Sequence, residues 1–195
     1  MTGVWQMELV VHPEAEVPAE LRRQVWELQE QAWPTGQPDP GVGHDPALLP
    51  RSMLLLDGDR VVAALDLLSK EISHAGQVFR ACGLSAVVTD RARRGRGHGG
   101  RLVAAARTYL PELGADLGVF SCDRPLEPFY RGAGWQPLPG TVLVGGTPQE
   151  PFPSDRPGFD KVVLADFVTP HARAHRASFP GARIALYPGA IDRLW

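Results

Sequence analysis

Cysteine is scarce: the 195 residues hold two, Cys82 and Cys122. Their spacing matches neither a zinc site nor a disulfide framework, so no metal is expected and reduced, cytosolic thiols are the plain reading. An excess of charge of one sign is lacking too. The formal net charge is −2 at pH 7, which removes the global electrostatic case for nucleic acid or an anionic membrane as a partner. No apolar run approaches the roughly 18 residues that a bilayer span needs, and no charged-then-apolar leader opens the sequence. A soluble, cytoplasmic protein is therefore expected. What is present is 44% hydrophobic residues, enough for one domain of ordinary size, 1–195, with a buried core.

Along the chain, Met7 to Val11 (MELVV) reads as a strand. A helix is predicted from Pro18, with Leu21, Val25, Trp26 and Leu28 at helical spacing, ending near Trp33. Pro34 to Pro50 holds five prolines and three glycines, which predicts an irregular binding loop or lid. Ser52–Leu56 and Arg60–Leu68 flank Asp57-Gly58-Asp59 as a hairpin. Further strands are predicted over Gln77–Thr89, Leu117–Ser121, Trp135–Val144 and Lys161–Ala165, with helices over Gly97–Leu110 and Leu126–Ala133. Strands come in runs before helices, which points to a mixed sheet rather than a doubly wound parallel one.

The chemistry concentrates at residues 87–106, VVTDRARRGRGHGGRLVAAA, where a strand runs into four glycines in six positions and then a helix. Uncapped amides at a helix start, glycines that let a ligand approach, and the cations Arg94 and Arg96 together suit a phosphate. Gly95, Gly97 and Gly100 also spell the G-x-G-x-x-G dinucleotide fingerprint. The basic run Arg91 to Arg94 separates them from their strand, however, and Phe120 stands where the ribose-binding acid belongs. A P-loop would need a Gly-Lys-Ser/Thr ending, an RNA patch would need repeats, and a tight turn that binds nothing is the bland alternative.

Arg94-Gly95-Arg96-Gly97-His98-Gly99 reads R-x-x-G-x-G and resembles the acetyl-CoA-binding motif of the GNAT N-acetyltransferase superfamily. LGVFSCDRPLEPFYRGAGW (117–135) is similar to that superfamily's later strand and the short helix after it. GQVFRACGLSAVV (76–88), the same 117–135 segment and IALYPGAIDRLW (184–195) narrow the resemblance to the aminoglycoside 2'-N-acetyltransferases. The resemblance implies the α+β GNAT fold: a central mixed, mostly antiparallel sheet with a splayed strand pair, flanked by helices. It also implies acetyl-CoA as cofactor, a small-molecule amine as acceptor, and a homodimer as the candidate assembly.

Site roles follow from the resemblance. Val87, Val88 and Thr89 would hold the thioester and its arm, and Arg94, Gly95, Arg96, Gly97, His98, Gly99 and Gly100 the pyrophosphate. Tyr130 would be the general acid at sulfur; a core tyrosine is its plainer reading. Related 2'-enzymes carry a glutamate base on the central strand where this chain has Ser85; a water relay ordered by Ser85 and another acid would serve, as would a substrate amine whose pKa is already low. Trp195 keeps the position of the terminal tryptophan that binds the cationic sugar, but the acid upstream is displaced, as Asp192 comes one residue early and Arg193 stands in its place. Asp39, His44 and Asp45 on the loop are further candidates for the ammonium. Glu127 and Asp123 are candidates for the acid beside Ser85, with Glu127 also a candidate for the substrate, and solvated surface charge is the bland alternative for all of them. The missing acids point to a less cationic acceptor such as kasugamycin, with resistance as the consequence. A protein or peptide amine acetyltransferase and a non-catalytic acyl-CoA-binding domain are the competing readings.

Overall fold

The computed structural model describes residues 7–41, 43–187, 189 and 194–195. Strand β1 (Met7–Pro13) passes through a 3-10 turn at Glu14–Glu16 into helix α1 (Ala19–Ala32), with Pro18 at its N-cap. Beyond it the proline-rich stretch carries one regular feature, a 3-10 turn at Pro46–Leu48. Strands β2 (Arg51–Asp57), β3 (Arg60–His74) and β4 (Gln77–Thr89) follow as consecutive hairpins. The first turns at Gly58, as predicted. The second turns at Ala75 and Gly76, both at positive φ (49° and 74°), and carries β3 six residues past its predicted end at Leu68.

Then come α2 (His98–Tyr109), β5 (Leu117–Asp123), α3 (Glu127–Gly132), β6 (Gln136–Pro137), β7 (Val142–Gly146), β8 (Pro151–Pro153), β9 (Lys161–Phe167), α4 (Pro170–His175) and β10 (Arg183–Ala185). The single strand predicted over Trp135–Val144 is in fact two, in different sheets. Pro137 and Pro139 cannot donate ladder bonds, and a turn closed by Thr141 N–H on the Leu138 carbonyl separates the halves. Seven strands form the main sheet in the order β1-β2-β3-β4-β5-β9-β6, and β10-β7-β8 form a small second sheet. In the main sheet only β4 and β5 run parallel. This is the mixed, mostly antiparallel α+β architecture expected.

Both faces of the sheet are covered, so the central strands read as continuous apolar runs. Leu54, Leu56, Ala64 and Val88 meet Leu21, Val25 and Leu28 of α1, while Met53, Leu55, Ala63 and Leu65 share a core with Leu102, Val103 and Ala106 of α2. Trp135 is buried in that second core and donates its indole N–H to the Val103 carbonyl at 3.2 Å. Gly118 leaves it room, since a Cβ there would lie 2.6 Å from the ring.

Two irregularities of β4 create the site. Its register against β3 passes from Val88↔Ala64 to Ser85↔Asp66, so Ala86 and Val87 together face Leu65. Ala86 takes φ 49° there, a bulge that bends the strand. On its other edge β4 pairs with β5 only at Ala81↔Leu117 and Cys82↔Gly118. From Gly83 to Thr89 the two strands splay apart, leaving that edge of β4 without a strand partner.

Candidate active site

A cleft of about 690 Å³ opens along the outer half of β4, lined by Val87, Val88, Thr89, Arg94, Gly95, Gly97, His98, Gly99, Gly100 and Tyr130, with Trp33, Leu126 and Phe129 at its rim. All the residues predicted for the cofactor except Arg96 therefore converge on one space. At its floor α2 begins without a side-chain cap or an acidic residue in its first turn. Its orphan amides and the positive end of its dipole face the cleft. Gly97, at φ 80°, turns the chain into the helix, and Gly99 lies where a Cβ would come within 2.8 Å of Thr89 Oγ1. Arg93 is tied to Asp57 and lies 3.9 Å from Asp90, whereas Arg94 and Arg96 are exposed and have no ion-pair partner among the described residues. Free amides, a glycine-lined wall, the Arg94 guanidinium, which donates to the Thr89 carbonyl at 3.4 Å but has no ion pair among the described residues, and an unpaired strand edge fit a diphosphate with an extended, amide-bearing arm.

Across the bulge lies a second, smaller pocket of about 260 Å³, whose wall includes Ala86, Trp26, Trp33, Glu14, Glu30, Asp39, His44, Ser52 and Asp66. Trp33 borders both spaces. At the base of the pocket is a buried polar chain. His44 Nδ1 lies 2.9 Å from Glu14 Oε1 and His44 Nε2 lies 3.0 Å from Ser85 Oγ. Asp66 accepts a hydrogen bond from Ser52 at 2.6 Å and sits 4.0 Å from the same imidazole. Burial pushes the Glu14 carboxyl up, but hydrogen bonds from the His44 ring and the Gly43 amide outweigh it and hold the group below its ordinary range. An ionised Glu14 only accepts, so Nδ1 carries the proton and Nε2 offers its lone pair to the Ser85 hydroxyl.

Glu14, His44 and Asp66 bring ligand-type atoms within 4.8 Å of one another. Both imidazole nitrogens and the Glu14 carboxylate are engaged in hydrogen bonds in this structure. Glu14, Ser52 and Asp66 carry no local signal in the sequence, and only the fold brings them to Ser85.

Tyr130 is buried beside Phe120 and Phe129, at ring distances of 4.9 and 5.0 Å, and faces the larger cleft. Burial, with Cys122 and Asp123 nearby, raises its hydroxyl well above the usual tyrosine range. Burial likewise pushes the thiols of Cys82 and Cys122 up to about 12 and about 11, so neither is a thiolate nucleophile at neutral pH. Of the acids predicted for the acceptor, Asp39 lines the smaller pocket. Asp45 instead caps its own turn through the Ala47 amide, and Glu127 pairs with Arg131 at 3.6 Å on α3; neither lines either space. Asp123 pairs with Lys161 at 2.8 Å, and Asp192 lies outside the described residues. Trp195 is buried against Gly83, where a Cβ would run into its ring, and its carbonyl oxygen accepts from the Ser121 amide (2.6 Å) and hydroxyl (2.7 Å). It bridges β4 and β5 where they part.

The family model described as an acetyltransferase (GNAT) domain matches residues 16–138. Among solved structures, the chain is similar to an acyl-CoA N-acyltransferase from Pseudomonas aeruginosa, with TM-score 0.58, 16% identity, and 82% of this chain and 99% of that one covered. It is also similar to ElaA from Escherichia coli, with TM-score 0.56, 15% identity, and 81% and 98% covered. A third is glucosamine-6-phosphate N-acetyltransferase from Arabidopsis thaliana, with TM-score 0.52, 16% identity, and 66% and 90% covered. At these identities the likeness is one of fold. No curated protein matches the sequence. Among the described residues no helix is long and apolar enough to cross a membrane.

Proposed function

The chain belongs to the GNAT acetyltransferase family, and from that premise we propose that it acetylates a primary amine on a compact amino-sugar molecule of the aminoglycoside type. It is an acyl-CoA-dependent N-acetyltransferase. Acetyl-CoA, when bound, supplies the activated acetyl group. The observation that carries the reading is the pair of spaces meeting at the β4 bulge: a large cleft with phosphate-binding chemistry on one side and a small acid-lined pocket on the other.

In this reading the α2 amides and Arg94 hold the diphosphate, and the open edge of β4 at Val87 to Thr89 orients the arm and polarises the acyl carbonyl. Tyr130 donates its hydroxyl proton toward the sulfur. A hydroxyl raised by burial stays protonated throughout the neutral range, so the donor is always loaded.

The acceptor class is supported by the pocket's lining. Trp26 and Trp33 offer flat apolar faces to a ring, and Glu30 and Asp39 offer acceptors to ammonium and hydroxyl groups. Its 260 Å³ falls below the roughly 300–1,000 Å³ usual for ligand sites. One amino-sugar ring enters, and the rest of the molecule stays outside. That favours a small antibiotic such as kasugamycin; transfer to a 2'-amine, with resistance as its consequence, rests on the sequence likeness at 76–88, 117–135 and 184–195. Release of the CoA thiol in the presence of kasugamycin, larger aminoglycosides, glucosamine and lysine peptides tests it. Turnover should rank the compact amino-sugars first. Preference for the peptides would overturn the acceptor class, and tight CoA binding without turnover of any amine would make the chain a binding module.

A further inference from the structure

We propose that His44 is the proton acceptor for the incoming amine, with Ser85 as the hydroxyl between them and Glu14 as the residue that positions the imidazole. This rests on the acetyl-transfer reading above and supplies what that reading lacks, because Ser85 by itself is too weak a base for an ammonium group.

Three observations carry it. The hydrogen bonds run in one line, Ser85 Oγ to His44 Nε2 at 3.0 Å and His44 Nδ1 to Glu14 at 2.9 Å, which leaves the basic nitrogen aimed at β4 beside the bulge. His44, Glu14, Asp66 and Ser52 belong to the wall of the acceptor pocket, and Ser85, which lines neither space itself, adjoins it through its neighbour Ala86. Finally, carboxylates flank the ring. Glu14 follows β1 and Asp66 comes from β3, both beside the ring; Glu30 of α1 and Asp39 of the loop add negative charge around the pocket, and among the described residues Arg22 of α1 is the one Lys or Arg in its wall. His44, Glu14 and Asp66 side chains are only 8%, 10% and 6% exposed, so their attraction is weakly screened.

The proton accounting closes. The acceptor ammonium gives up one proton through Ser85 Oγ to His44 Nε2, and the freed nitrogen pair forms the C–N bond to the acyl carbon. As the tetrahedral adduct collapses, the C–S bond breaks, its electron pair goes to sulfur, and Tyr130 protonates it. The second nitrogen proton restores the Tyr130 hydroxyl through solvent, and His44 returns its own to water. The sum is ammonium plus acetyl-CoA giving amide, CoA thiol and one proton.

The test compares His44→Gln and Glu14→Gln with the wild type, using ethylamine and 2,2,2-trifluoroethylamine as acceptors of like size and opposite basicity, alongside kasugamycin. His44→Gln should lower kcat for ethylamine about 10²-fold or more and leave the KM for acetyl-CoA unchanged. It should act far less on the weakly basic trifluoroethylamine, which is neutral already, and added imidazole should restore part of the rate. The acidic limb of the kcat/KM pH profile should vanish in His44→Gln and move in Glu14→Gln. Independently of turnover, the His44 ring signal in an NMR titration should shift its midpoint in Glu14→Gln. Equal losses on both amines, an unchanged pH profile or an unmoved midpoint would overturn the assignment. So would an acetyl adduct on Ser85 formed from acetyl-CoA alone, which would make Ser85 a nucleophile. A wild type that turns over no amine would instead bring down the acetyl-transfer reading itself.

Discussion

Tyr130 and Glu14 show how single residues here are tuned in opposite directions by burial and hydrogen bonding. The Tyr130 ring is held edge-on by Phe120 and Phe129, contacts that phenylalanine would keep. Tyr130→Phe should therefore fold normally and lose about 10²-fold in kcat, with little change in the KM for acetyl-CoA; an unchanged kcat would remove the hydroxyl from the chemistry. Glu14 titrates below its unfolded value of 4.5 because the His44 ring and the Gly43 amide outweigh the cost of burial. A carboxyl depressed in the folded state stabilises fully above its unfolded pKa, and that contribution drains away as the pH falls through the folded value. Urea unfolding should accordingly find Glu14→Gln less stable than the wild type at neutral pH, with the gap closing as the pH is taken below 4.5. A gap independent of pH would mean that Glu14 acts through packing alone.

At the scale of elements, the site is made by β4, which is bent at Ala86 and freed from β5 beyond Cys82, and by the glycine turn that delivers α2 to the cleft. Replacing Gly97, at φ 80°, by alanine strains that turn by about 1–2 kcal/mol, and Arg94→Ala removes a guanidinium from the cleft. Together they should raise the acetyl-CoA KM on the order of 10–100-fold, the worth of one charge-assisted hydrogen bond; initial-rate kinetics that show an unchanged KM would move the diphosphate elsewhere. The turn, the strand before it and Asp57-Gly58 are legible in sequence because glycine reports backbone shape locally. The turn at Ala75 is not, since alanine rarely signals positive φ. The split of residues 135–144 is hidden because the prolines that cause it leave the apolar pattern intact. The Ser85–His44–Glu14 chain is the least legible, as its partners stand 30 and 41 residues apart and only strand pairing and the irregular loop bring them together. Within that loop His44 turns inward onto Glu14 and Ser85, while Asp45 is spent on a local cap.

For the whole molecule, the sheet serves as a partition. Its helices seal both faces, and its one parallel pair parts to leave a cleft beside β4, with a second pocket behind the bulge. Trp195 closes the point of separation by resting on Gly83 and binding Ser121, so the opening has a fixed inner end. Division of labour across one kinked strand is the central claim, and amide hydrogen exchange with acetyl-CoA tests it most directly. Acetyl-CoA alone should slow exchange over residues 87–100 and 126–130 and leave residues 14–17 and 26–31 as they were. Protection of the second set in place of the first would contradict it.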